Sequence, residues 1–324
     1  MHRALLLPEV VATILQNEVS TKGFLFTALF INKLFFKEAS RILWYGCGTR
    51  YGNPIYHLAR IVKNDQRRAQ LYADLIRMVH FAYEFSNDEY TEEAKWHEQL
   101  TRLQYPQLER VHFEDALDSV SFNRGDIIIH YAQPNVKEFR LRGGSMLSDS
   151  FLETLGQRCL RLRSVELEIH KQNYISVKGL VNFLERSQSL EIVHLREGFE
   201  NSWSARAFEV ISQYPRLELL SIPDVEDTWI ESLAAGFPVL TSLWRFGASD
   251  RGLERMHRVA PNLTTLHLDL TNLSPSHHAL ASASNFSLLA MFSVKFAPGS
   301  SINGQELVLL AQNCPNLTWV QVGE

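Results

Sequence analysis

The chain has 324 residues, of which 45% are hydrophobic and 21% charged, and its net charge is −4. It is too apolar for a disordered chain, and its mild acidity points away from a nucleic-acid partner. Cys47, Cys159 and Cys314 are scattered, with neither a CxxC pair nor a metal-ligand spacing, and so few cysteines suit a reducing compartment.

The opening run, "MHRALLLPEVVATIL", is apolar like a signal peptide, but Pro8 and Glu9 interrupt it and no small-residue cleavage site follows. "FLFTALFINKLFF" (24–36) falls short of the roughly 20 residues of a membrane span, and Lys33 breaks it. The expectation is a cytoplasmic or nuclear protein with no membrane contact. Asn262, Asn285 and Asn316 begin glycosylation sequons that matter only in a secreted chain. Residues 8–15 predict a short helix with Pro8 in its first turn and an apolar stripe of Val10, Val11, Ile14 and Leu15. Residues 24–44 predict a further helical run that breaks near Phe36 to Glu38 and is ended by Gly46 and Gly48. Three short helices make too small a core alone, so this cluster either docks a partner or covers the open edge of whatever sheet follows.

"YGCGTRYGN" (45–53) has the form G-x-G-x-x-x-G, but lacks the strand and helix of a dinucleotide site and predicts a turn. The basic "KNDQRR" (63–68) and the acidic Asp88, Glu89, Glu92 and Glu93 are read as solvated surface. His277 and His278 sit in a loop-like segment with no third ligand in view. No G-x-S-x-G, H-E-x-x-H or P-loop occurs, and no spacing selects a nucleophile and base. The reading therefore has no catalytic residue, no metal and no cofactor: the chain is not expected to be an enzyme.

From about residue 66 one phrase repeats. "VAPNLTTLHL" and "NCPNLTWVQV" both fit Leu-x-x-Leu-x-Leu, at Leu263, Leu266 and Leu268, and at Leu317, Val320 and Val322. The same template fits from Leu108, Val136, Leu162, Leu190, Leu217 and Leu289, and more weakly from Ile76. At Leu240 and Leu243 the sixth position is Arg245, which marks an irregular unit. Repeats of roughly 23–28 residues predict a leucine-rich-repeat solenoid. Each alternating stretch is a strand, and helical spacing fills the gaps at 148–159, 177–187, 204–214 and 304–314. No unit buries its own apolar face, so stacking supplies the core. The expected fold class is α/β: a horseshoe with parallel strands on the concave face and helices outside, preceded by a small all-α head. The expected domains are a head at 1–48, a linker with a first irregular repeat at 49–103, and the solenoid at 104–324. With the repeats ending on a strand, Val320 and Val322 are expected on an open edge, frayed or partner-covered.

The repeats resemble the cysteine-containing class of leucine-rich repeats, which places a Cys or other small or apolar residue three before the first anchor. Cys159, Cys314, Ala260, Tyr214, Phe237 and Tyr105 stand there. Residues 5–46 resemble an F-box: Leu7, Pro8, Glu9, Val10, Val11, Ile14 and Leu15, then Ile31, Asn32, Lys33, Phe35 and Phe36, then Leu43 and Trp44. The loop "NEVSTKG" departs from the family's usual phrase. The resemblance implies a substrate-recognition subunit of an SCF-type cullin–RING ubiquitin ligase. Its head would dock on the SKP-family adaptor, and through it on cullin. Leu7, Pro8, Val11, Ile14, Leu15, Leu43 and Trp44 would supply adaptor contact or the packing beneath it, with Trp44 as the leading anchor. A protein substrate would meet the outward residues of the strands: Arg140, Arg142, Glu166, Glu168, His194, Arg196, Trp244, His267 and Asp269. The competing reading is a leucine-rich-repeat interaction scaffold with no ubiquitin role.

Overall fold

A computed structural model describes residues 7–17, 22–48, 55–82, 90–114, 125–143, 147–169, 175–271, 278–297 and 304–323. The chain divides into two compact units, Met1–Lys137 and Glu138–Glu324. The first contains α1 (Pro8–Asn17), α2 (Lys22–Ala28), α3 (Lys33–Leu43), β1 (Gly46–Gly48), α4 (Ile55–Asn64), α5 (Gln66–Ala73), β2 (Met78–Ala82), α6 (Tyr90–Leu100), β3 (Arg110–Glu114) and α7 (Gly125–His130). The second contains β4 (Glu138–Gly143), α8 (Asp149–Arg158), β5 (Ser164–Ile169), α9 (Val177–Arg186), β6 (Ile192–Leu195), α10 (Ala205–Ser212), β7 (Leu219–Ser221) and α11 (Asp227–Glu231). It continues with β8 (Ser242–Phe246), α12 (Asp250–Val259), β9 (Thr265–Leu270), α13 (Ala279–Ala283), β10 (Met291–Phe296), α14 (Gly304–Asn313) and β11 (Trp319–Gly323). The fold class is α/β, a leucine-rich-repeat solenoid of parallel strands alternating with helices.

The second unit follows the repeat arithmetic. Strands β4 to β11 pair in sequence order, all parallel, and place like anchors side by side: Val165 with Val193, Val193 with Leu220, Leu220 with Leu243, Leu243 with Leu266 and Leu266 with Phe292. All of these are buried. Burying one such side chain contributes about 1.5–3 kcal/mol before chain ordering is set against it. The position three before each anchor is buried as well, in all six cases noted in the sequence. There the Tyr214 hydroxyl donates to the Leu184 carbonyl, and Cys314 Sγ to the Phe286 carbonyl at 3.4 Å, so the slot serves a carbonyl of the preceding repeat. The recurring Pro-Asn does similar work: Asn262 Nδ2 donates to the Pro238 carbonyl at 2.9 Å. Val320 and Val322 lie on β11, which pairs with β10 and is the outermost described strand of this unit; Val320 is exposed and Val322 half-buried.

Successive helices are stapled at two places by one device. Ser176 caps α9, its Oγ accepting from Gly179 N at 2.9 Å, while its own N and Oγ donate to the Asp149 carboxylate at 2.7 and 2.6 Å. Asp149 is the first residue of the preceding helix. Ser249, Gly252 and Asp227 repeat the arrangement between α11 and α12. A Cβ at Gly179 would collide with the Asp149 carboxylate, so any other residue there would have to displace the staple.

The first unit departs from its sequence reading twice. Gly46–Gly48 is no turn but a strand: β1 pairs in parallel with β2, Cys47 beside Val79. Gly48 has φ 145°, and a Cβ there would strike the His80 carbonyl, so only glycine admits the approach. The helical break comes at Leu29–Asn32 rather than at 36–38, because the Asn32 side chain accepts from Leu34 N (2.9 Å) and Phe35 N (3.0 Å) and starts α3. Beneath the three parallel strands lies an aromatic core in which His97, fully buried, meets the Tyr131 hydroxyl at 3.0 Å and lies edge-on to Phe81. Burial pushes the His97 imidazole down to about 3, so it is neutral at physiological pH.

Candidate functional site

In β4 to β6, alternation puts Phe139, Leu141, Val165 and Leu167 inside and sends Arg140, Arg142, Glu166, Glu168, His194 and Arg196 to the opposite face. The charges there are mutually paired. Glu166, only 5% exposed, forms an ion pair with Arg140, Nε lying 2.6 Å from its Oε2, and is also held by Arg142. Glu168 lies 3.5 Å from Arg142 and 3.6 Å from Arg196. The outward arginines and glutamates that the resemblance offered to a substrate are thus partners of each other, because residues on adjacent strands at one register are within side-chain reach.

From β6 onward the pairing is incomplete. His194 is pushed down to about 4 by burial, against the pull of Glu166, and His267 is lowered by the same cause. His194 Nδ1, Arg196 Nε and His267 Nδ1 are buried and find no hydrogen-bond partner among the described residues. An unsatisfied buried polar group costs about 1–3 kcal/mol.

The irregular repeat explains itself at β8. Leu243 pairs with Leu266, but Phe246 rather than Arg245 pairs with Leu268. A β-bulge has inserted one residue, and Phe246 takes the core position that Arg245 cannot. Trp244 and Arg245 consequently both lie exposed, Trp244 at 37%. Arg245 has φ 50°, a conformation that strains any side-chain-bearing residue. Trp244 stacks on His267, centroids 5.8 Å apart and rings 9° from parallel. Beside them Arg196, Arg245, Asp224 and Asp269 line a cleft of about 200 Å³, in which Arg245 lies 3.7 Å from Glu197. Asp269 is half-buried and accepts from Thr271 Oγ1 at 2.7 Å. The structure therefore gathers Arg196, Trp244, His267 and Asp269 and adds Arg245, which the sequence marked only as an irregularity.

The helical head is sorted just as sharply. α1 and α2 pack on α3. Val11 and Leu15 of α1 and Phe35, Ala39 and Leu43 of α3 are buried at helical spacing. Trp44, the expected leading anchor, is 8% exposed and stacks on Tyr72 at 4.8 Å. It is packing, not a docking side chain, as are Val11, Leu15 and Leu43. Leu7 and Pro8 are exposed and Ile14 half-buried. The uncovered apolar side chains of the head are Leu7, Phe26, Ile31, Phe36 and, above all, Phe30, which is 87% exposed. Asp88, Glu89 and His277 lie outside the described residues, and His278 Nδ1 lies 3.3 Å from Glu306. Among the described residues no cluster could hold a metal ion, and no helix is long and apolar enough to cross a membrane.

No family model and no curated protein matches the sequence. Among solved structures, the chain is similar to a chain of the Rad7 and Elc1 complex in yeast, at 13% identity and a TM-score of 0.49, over 89% of this chain and 88% of that one. It is also similar to the leucine-rich repeat-containing protein LegL7 from Legionella pneumophila, at 13% identity and a TM-score of 0.35, over 70% of this chain and 87% of that one. Likeness at this level carries no function across.

Proposed function

We propose that the chain is a non-catalytic receptor that holds a protein ligand on the strand face of its second unit. The observation that carries this reading is the change along that face: paired charges over β4 and β5, then, from β6 onward, unpaired buried nitrogens and an exposed Trp244 over a β-bulge. A surface that satisfies itself asks for no partner, whereas an exposed aromatic beside unsatisfied donors is the composition of an interface centre.

The finer proposal is that this receptor serves an SCF-type cullin–RING ubiquitin ligase, with the head docking on the SKP-family adaptor. The F-box resemblance of residues 5–46 supports it, as do the exposed Phe26, Phe30 and Ile31, since large apolar side chains clustered on a small head suit a docking face. The receptor would then act by raising effective concentration, bringing its ligand to the conjugating machinery without bond chemistry of its own. Co-expression of the full chain with an SKP-family adaptor tests it: a co-eluting complex that Phe30→Asp abolishes, with circular dichroism unchanged, is the expected result. Failure of the unmutated chain to co-elute would remove the ubiquitin role and leave the interaction scaffold.

A further inference from the structure

Helices α3 and α5 of the first unit flank an open groove of about 620 Å³, within the range of sites that take small ligands or a few side chains. Its walls are apolar: Phe36 from α3, and Leu71 and Tyr72 from α5. Leu71 is 63% exposed. The wall is rigid where it matters, because Tyr72 is backed by the buried indole of Trp44, parallel to within 21°.

The rim has the opposite character. Lys37, Arg67 and Arg68 stand around it, and Arg68 Nε reaches the Tyr72 hydroxyl at 3.4 Å. Asp65 is the one carboxylate among the lining residues, and it caps α5 by accepting from Arg68 N at 2.9 Å. Three cations against one committed carboxylate set a positive field around an apolar floor, on a chain whose net charge is −4. A phosphate backbone would answer the rim and leave the floor unfilled; a purely apolar segment would do the reverse. A helix with bulky apolar residues on one stripe and carboxylates beside it answers both.

We propose that this groove docks an acidic amphipathic helix of another protein, its apolar side chains against Phe36, Leu71 and Tyr72 and its carboxylates on Lys37, Arg67 and Arg68. The groove straddles the edge of the segment that resembles an F-box, with Phe36 and Lys37 inside it and Arg67, Arg68, Leu71 and Tyr72 outside it, so the test must separate it from the exposed Phe30 surface of the head. Trp44 is a positioning residue here, acting through Tyr72.

Selection of phage-displayed random peptides of about 16 residues, roughly four helical turns, against the full chain tests it. The enriched peptides are expected to carry large apolar residues three and four apart and an excess of Asp and Glu. The best of them, labelled with fluorescein and followed by anisotropy, should bind at least about tenfold more weakly to Leu71→Asp and to the double variant Arg67→Glu, Arg68→Glu, and should weaken with added salt. Leu71→Ala should weaken it less, and Phe30→Asp should leave it unchanged, which separates this site from the head surface. All four positions are exposed, and circular dichroism checks the fold of each variant. No enrichment, enrichment of neutral or basic peptides, or binding that survives these changes overturns the proposal. So does self-association of the chain that Leu71→Asp abolishes, since the groove would then belong to a second copy.

Discussion

The two units use the same strand–helix alternation and cover their apolar surface to different degrees. In the second unit each aliphatic anchor meets its like on the next strand, charged side chains on β4–β6 neutralise one another, and serine–aspartate staples tie helix to helix. The first unit has two helices between β1 and β2, a strand of two glycines and a cysteine, a histidine sealed among aromatics, and uncovered phenylalanines. Both units leave some apolar side chains uncovered; in the first these include Phe26, Phe30 and Phe36, and in the second the β8 bulge turns Trp244 outward.

Four measurements would break or sharpen that contrast, beginning with the largest effect. Leu266→Ala opens a cavity in the aliphatic ladder and should lower stability by about 2–5 kcal/mol in urea titration. A loss below about 1 kcal/mol would mean that the ladder is loosely packed. Gly48→Ala forces a side chain into a backbone conformation and a space that exclude it, and should cost about 1–3 kcal/mol or more. Native-state hydrogen exchange should show the loss in β1 and β2 and spare β9.

Acid should act on both units, through His194, pushed down to about 4, in the second and through His97 in the first. His97 is neutral in the fold to about pH 3, whereas the unfolded imidazole takes a proton near 6.5. The folded pKa is depressed, so the stabilisation is complete above about pH 6.5 and is lost as pH falls toward 3. The expected slope approaches 1.4 kcal/mol per pH unit for that one proton. His97→Gln should flatten the part of the profile that exchange reads in β2 and β3. The smallest effect is a sign reversal. Gly179→Ala should destabilise the natural chain, but in an Asp149→Ala background it should be neutral or stabilising by up to about 1 kcal/mol, the helix preference for alanine. A penalty for the alanine in both backgrounds would show that the carboxylate is not what demands the glycine.

Most of the fold was legible because a leucine every 23–28 residues is a long-range signal written in local letters. Helices at 149–158, 177–186, 205–212 and 304–313 fall where the spacing of apolar residues puts them. β1 was not legible, since two glycines and a cysteine carry no alternation. Nor was the α2–α3 break, because the phenylalanines around Asn32 hide a cap that works through its neighbours' backbone amides. The site divides in the same way. Alternation tells which residues leave the core, so Arg140, Glu166 and Trp244 are correctly sent to one face. It does not tell which of them find one another across strands, and that is what silences the first two and leaves the third exposed. The groove joins residues some thirty positions apart on two helices, and no single stretch records it.

The bulge at β8 behaves as a dislocation does in a crystal. One surplus residue is absorbed within a single strand, and by Phe246 the alignment with β9 is restored, so the misfit does not travel into β10. A repeating array ordinarily accommodates changes of length in its loops, where they alter little of the face that strands present. Here a change of length falls in the strand itself and turns two consecutive side chains outward. The array can therefore gain an off-lattice position without losing the order of the layers on either side.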